Sequence, residues 1–272
     1  MSIDETSLSN GELYTIVTNK SGKGRKGSIV AMVAGTKADT VISVIEKIPL
    51  RERNLVREIT LDMAGNMGLI ARKCFSNATR VTDRFHVQKL AAEALQEIRI
   101  KYRWEAIDQE NEAMERAKKT NINFESKILP NGDTLKQLLA RSRYFLYKNK
   151  SKWTSNQIER AALLFELYPD IQKGYNLTQE LRSIFENTKD KISGFAKLAK
   201  WHEKVNQSGF KSFNTISRTI MNHYQTILNY FDNRSTNASA ESFNAKIKAF
   251  RSQFRGVRNV EFFLFRLTNI YA

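Results

Sequence analysis

Four acidic residues stand where strands and helices could gather them. Asp4 lies in SIDET, Asp62 closes REITLD, Asp83 closes RVTD, and Glu241 sits in STNASAESFNAKIKAF. Each aspartate falls within a strand-like segment or just past its end. Carboxylates at the strand ends of a mixed sheet can converge on one edge, where their hard oxygens suit Mg²⁺ or Mn²⁺. Two such ions, roughly 3.5–4 Å apart, serve phosphodiester chemistry: one activates the attacking oxygen and the other stabilises the leaving oxygen. An aspartate can also end a strand simply as a turn residue. Three of them in a chain of net charge +16 weigh toward a shared site. Glu241 has its own alternative as a helix-start residue. A capping box needs Ser or Thr three residues earlier, and that position is Ala238. With Asn237 as the cap, Glu241 comes one position too late, which leaves a helix-dipole contact or a metal ligand delivered from a helix.

Other chemistries find little support. His86, His202 and His223 stand too far apart for a helical HExxH zinc site. Cys74 is the only cysteine, which excludes a disulfide scaffold and a cysteine-rich zinc finger. No convincing nucleophile constellation is present.

The elements that must carry these carboxylates follow from hydrophobic period. Residues 2–6, 12–18 (ELYTIVT) and 28–34 (SIVAMVA) read as strands, the last two joined by the basic, glycine-rich turn SGKGRKG. Links this short make antiparallel neighbours. Residues 37–46 set Ala38, Val41, Ile42 and Ile45 on one helical face. A strand at 56–61, a helix at 66–75 and a strand at 79–82 complete a mixed α/β sheet. From about residue 100 to 225 apolar residues recur at helical spacing with almost no strand signal, interrupted by a loop at 121–133 around Pro130-Asn131-Gly132. Further helical stretches at 237–251 and 261–271 need a core to pack on, so the helical block reads as an insertion.

With 272 residues, 41% of them hydrophobic, the chain can bury a sizeable core. Its 44 Lys and Arg against 28 Asp and Glu favour a polyanionic partner, nucleic acid first. A membrane partner is not expected, for lack of an uncharged apolar run. The polar opening residues carry no signal or transit pattern, so a soluble, cytoplasmic, nucleoid-associated protein is expected. Two stretches mix cations with aromatics: 141–153 (RSRYFLYKNKSKW) and 246–258 (KIKAFRSQFRGVR). Cations take phosphates and rings can stack on bases, although an amphipathic helix with core aromatics explains the first better. Lys246, Lys248, Arg251, Arg255 and Arg258 follow Glu241 directly and are expected near the scissile strand. Phe262, Phe263 and Phe265 are expected in the core.

The blocks SIDETSLSNGELYTIV, EITLDMAGNM, ATRVTDRFHVQKLAAEAL and STNASAESFNAKIKAFRSQFRGVRN resemble bacterial insertion-sequence DDE transposases. More narrowly, they are similar to the ISL-three group and its Aon-type relatives, over nearly the whole chain. The most specific parts are DRFHVxKL and N-x-x-x-E-x-x-N-x-x-I-K with the following FRG-x-R-N. The resemblance implies a ribonuclease H-like mixed sheet interrupted by a large all-helical insertion, with core 1–100, insertion 101–225 and closing core 226–272. It implies Asp4, Asp62 and Glu241 as catalytic residues holding two Mg²⁺ or Mn²⁺ ions. Asp83 and His86 match an accessory D-x-x-H signature. An alternative triad uses Asp62, Asp83 and Glu241, with Asp4 structural. The implied partners are transposon-end and target DNA, with a homodimer acting on them. Relatives carry an N-terminal end-reading module. With Met1 three residues before Asp4, that module is expected on a separate polypeptide or outside this fragment. Two other functions stay open: a structure-selective nuclease on the same fold, and a non-catalytic DNA-binding remnant.

Overall fold

The structure, a computed structural model, describes residues 1–8, 11–254 and 259–272. A meander opens it. β1 (Ser2–Ser7), β2 (Leu13–Thr18) and β3 (Ile29–Ala34) pair antiparallel in sequence order. The basic turn between β2 and β3 bends through Lys23, Gly24 and Gly27, all with positive φ. α1 (Ala38–Ile45) buries Val41, Ile42 and Ile45, the face its sequence spacing marks. The four-residue α2 (Leu50–Arg53) after Pro49 escapes sequence reading because one turn has no period to detect. β4 (Glu58–Leu61), α3 (Gly65–Cys74) and β5 (Thr79–Thr82) follow. β4 lies parallel to β1, and β5 parallel to β4. The strand order is β3-β2-β1-β4-β5, a mixed α/β sheet with β1 at its centre.

The chain divides into two compact units, one of residues 1–87, 189–191 and 223–272, the other of residues 88–188 and 192–222. α4 (Arg84–Lys119) has its first turn in the former. The second unit is built from the rest of α4 with α5 (Leu135–Leu146), α6 (Ser155–Leu167), α7 (Pro169–Asn187), α8 (Lys191–Ser208) and α9 (Lys211–Asn222). Reciprocal Thr–Gln capping boxes start α5 and α6, and a proline starts α7. Leu138, Leu164, Leu181, Phe185 and Phe213 fill its core together with Trp201, whose indole donates to the Leu177 carbonyl at 2.9 Å. In the first cation–aromatic stretch Phe145 and Trp153 are core, packed edge to face, while Tyr144 and Tyr147 are exposed. Arg141 and Arg160 both grip the buried Asp133.

The first unit closes with α10 (Tyr224–Leu228), α11 (Tyr230–Asn233), α12 (Ala238–Gln253) and α13 (Val260–Tyr271). Alternation along the strands gives the sheet two apolar faces. Ile3, Val17, Val33, Ile59 and Leu61 pack with α1 and α3. Tyr14, Ile16 and Ile29 pack with Phe243 and Ile247 of α12 and Phe263 and Leu267 of α13. A bulge opposite Val17 and Thr18 turns Ile29 to the second face, away from Ala31 and Val33. Of the three phenylalanines expected in the core, only Phe263 is buried. Phe262 and Phe265 are 46% and 61% exposed, because the inward stripe of α13 runs Phe263–Leu267. No helix among the described residues is long and apolar enough to cross a membrane.

Candidate functional site

Strand register brings the aspartates together. Ser2 pairs with Thr60, and Leu61 with Thr82. Carried on by two residues and by one, that register sets Asp4, Asp62 and Asp83 side by side across β1, β4 and β5, at strand spacings of about 4.8 Å. The Asp83 amide continues the ladder by donating to the Leu61 carbonyl at 2.9 Å. All three belong to the face of the sheet that α12 covers.

Local bonds fix each carboxylate. Asp4 accepts the Glu5 amide at 2.9 Å on Oδ1 and the Asn244 side-chain amide at 2.7 Å on Oδ2. Asp62 accepts the Ala64 amide at 2.9 Å, which curls the link from β4 into α3. Asp83, 1% exposed, accepts the Phe85 amide at 3.2 Å on Oδ1 and so caps α4. Its Oδ2 is buried with no hydrogen-bond partner among the described residues. His86 follows in the first turn of α4, three residues on, and Glu241 in the first turn of α12. Ligand atoms of Asp83, His86 and Glu241 all lie within 4.8 Å of one another.

The charges interact. Burial pushes the Asp4 carboxyl up to about 6, with Asp62 and Glu241 adding to the rise and the Glu5 amide and His86 opposing it. Glu241 is raised too, by burial first and then by Asp83, against a lowering pull from His86. A buried carboxylate oxygen without a donor costs free energy unless something binds it. Asp83, His86 and Glu241 make a donor set that fits a divalent cation, and Asp4 lies close enough to feel the charges of Asp62, His86 and Glu241, in a chain that is otherwise strongly basic.

The comparison with protein families agrees with this chemistry. A family model of ISL3-type DDE transposases, described as transposase, matches residues 1–267. The chain belongs to that transposase family. Comparison with curated proteins and with solved structures gives no significant match. Family membership gives the chain a part in DNA transposition, and DNA as its partner.

Two residues beside the carboxylates were not assigned from sequence. Asn244, three positions beyond Glu241 and thus on the same side of α12, braces Asp4. Its position in the N-x-x-x-E-x-x-N block was the available signal. Lys20, in the turn that follows β2, bonds the Thr60 hydroxyl on the carboxylate face of the sheet. Burial holds its ammonium below the usual lysine range, although Glu58 and Asp83 pull it up. Nothing in its sequence context marks it.

The basic residues after Glu241 divide by burial. Lys246 and Lys248 are exposed on α12. A Cβ on Gly24 would come within 3.0 Å of the Lys246 ammonium, so the basic β2–β3 turn lies against this helix. Arg251 is used differently from expectation. It is 5% exposed, bonds both Glu12 carboxylate oxygens at 2.6 and 3.1 Å, and lies over the Phe263 ring. A guanidinium so engaged ties α12 to the β2 end and is not offered to phosphate. Arg255 and Arg258 lie outside the described residues.

Proposed function

We propose that this transposase cuts DNA at insertion-sequence ends and joins the freed 3′-hydroxyl to target DNA, using divalent cations held by Asp4, Asp62 and Glu241. The observation that carries the reading is the register of the aspartates beneath α12, with Asp4 raised to about 6 among them. A carboxyl held back from ionising by burial, with acidic neighbours adding to the effect, is a group that a bound cation would relieve. When bound, two Mg²⁺ or Mn²⁺ ions would supply activation of the attacking hydroxyl and neutralisation of the leaving oxygen. Asn244 keeps Asp4 aimed, and the Ala64 amide does the same for Asp62. Lys246, Lys248 and the basic β2–β3 turn take the phosphates that flank the scissile bond. Water attacks first, and the 3′-hydroxyl it releases attacks the target at the same residues. Neither step forms a covalent bond to the protein.

The helical unit reads as an insertion between β5 and the closing helices of a ribonuclease H-like core. Two element ends call for two active sites, hence a homodimer on DNA.

A duplex carrying the element's end, precut to expose its 3′-hydroxyl, tests the reading. Strand-transfer products in Mg²⁺ that vanish in Asp62→Asn are expected. Cutting of an uncut end without joining would favour a nuclease, and binding without either would make the chain a DNA-binding remnant.

A further inference from the structure

Asp83 and His86 have no part in the Asp4, Asp62 and Glu241 assignment, yet both stand beside Glu241. Three observations single them out. Asp83 is 1% exposed, its Oδ1 occupied by the Phe85 amide and its Oδ2 unpartnered. His86 and Glu241 each bring a ligand atom within 4.8 Å of Asp83 and of each other. No hydrogen bond or ion pair joins these three among the described residues, so they keep the spacing of ligands around one ion. Metal–ligand bonds of roughly 2.0–2.2 Å put such atoms about 3–4.4 Å apart.

We propose that Asp83, His86 and Glu241 form a cation position with one nitrogen ligand, which takes Mn²⁺ in preference to Mg²⁺. The proposal rests on the metal-dependent reading above and adds Asp83 and His86 to its ligands, with Glu241 common to both sets. Mg²⁺ demands oxygen ligands in a near-ideal octahedron and keeps its waters, whereas imidazole suits the softer first-row ions. The cap that Asp83 gives α4 ties the ligands together: the bond from Asp83 Oδ1 to the helix start sets His86 one turn away and leaves Oδ2 for the ion.

Pulsed EPR of Mn²⁺ bound to the intact chain tests it. Modulation from a directly bonded ¹⁴N is expected in the wild type, replaced by ¹⁵N when histidine is labelled, lost in His86→Gln and kept in Asp4→Asn. Mn²⁺ affinity should fall about tenfold in His86→Gln, with Mg²⁺ affinity, read by competition, changing less than about threefold. Asp83→Asn, which retains the imidazole, should weaken Mn²⁺ as well. His202 is a poor alternative source of the signal, since its ring nitrogens already meet Ser217 and Asn206. Bound Mn²⁺ without nitrogen modulation, or modulation that survives in His86→Gln, would overturn the cation position while leaving Asp4, Asp62 and Glu241 as ligands. No bound Mn²⁺ at all would overturn both readings.

Discussion

Removing the charge of Asp4 should stabilise the metal-free protein, and the structure says by how much and at which pH. The carboxyl is raised from 3.8 to about 6, by burial first. Below about pH 3.8 it is protonated whether the chain is folded or not, and folding is not penalised. As pH rises toward 6 the unfolded chain releases this proton while the folded one retains it, so stability falls through that window and stays reduced above it. A two-unit displacement corresponds to about 3 kcal/mol. Solvent reaches part of this carboxyl, and screening brings the expected penalty to roughly 1–2 kcal/mol.

Asp4→Asn deletes the charge at little cost in hydrogen bonds. The new carboxamide oxygen can still accept the Glu5 amide. Its NH₂ then faces Asn244, whose Oδ1 has no partner and can turn to accept it. Urea unfolding in EDTA should therefore show the variant about 1–2 kcal/mol more stable at pH 7.5 and equal to the wild type near pH 3.5. Cations should reverse the order. At 10 mM Mg²⁺ and a dissociation constant of about 1 mM, binding stabilises the wild type by about 1.4 kcal/mol. The variant should lose most of that gain. A variant less stable than the wild type in EDTA, with an undiminished response to Mg²⁺, would show Asp4 to be structural and refute the argument.

Three further outcomes are expected. Glu241→Gln, which keeps side-chain size, should hold or raise stability in EDTA while end cleavage collapses and DNA binding persists; near-normal cutting in Mg²⁺ would remove Glu241 from the ligands. Reversing Lys246 and Lys248 to glutamate should flatten the plot of log affinity for DNA against log salt by about 0.9 per lost phosphate contact, and an unchanged slope would put the DNA track elsewhere. Arg251→Ala should destabilise the chain by about 3–5 kcal/mol, because Glu12 is left as an uncompensated, largely buried charge, with the thermal midpoint as readout and little change in that salt slope at temperatures where the variant is folded.

Strands and helices were legible in the sequence where their period spanned several turns or alternations, as in α1 with Val41, Ile42 and Ile45. The bulge that turns Ile29 to the other face of the sheet was not, since one extra residue in a ladder leaves no mark in hydrophobicity. Residue types at strand ends pointed to Asp4, Asp62 and Asp83 as a group, and the parallel register follows from the strand order once that order is known. Arg251 misled for a definite reason. In sequence it belongs to a cationic run after Glu241, but its partner Glu12 lies 239 positions away, beyond any local pattern. The spacing of Asp83 and His86 was visible, yet their closeness to Glu241 depends on how α12 is rotated on the sheet.

That rotation decides the site. The sheet delivers its aspartates through backbone pairing, which resists distortion, but Glu241 and Asn244 reach them only if α12 presents the correct side. At 100° per residue, Glu241, Asn244 and Lys248 form one stripe, and Phe243, Ile247 and Arg251 a second stripe turned by about 90° from it. The second stripe is the fixed one. Phe243 and Ile247 are buried against the sheet and α13, and Arg251 is locked to Glu12 near the far end of the helix. The carboxyls of Asp4 and Glu241 do not set this orientation themselves, because burial and the acidic neighbours oppose their charged forms. Apolar packing and one ion pair, away from the chemistry, hold in place a group of acids that would otherwise push α12 off.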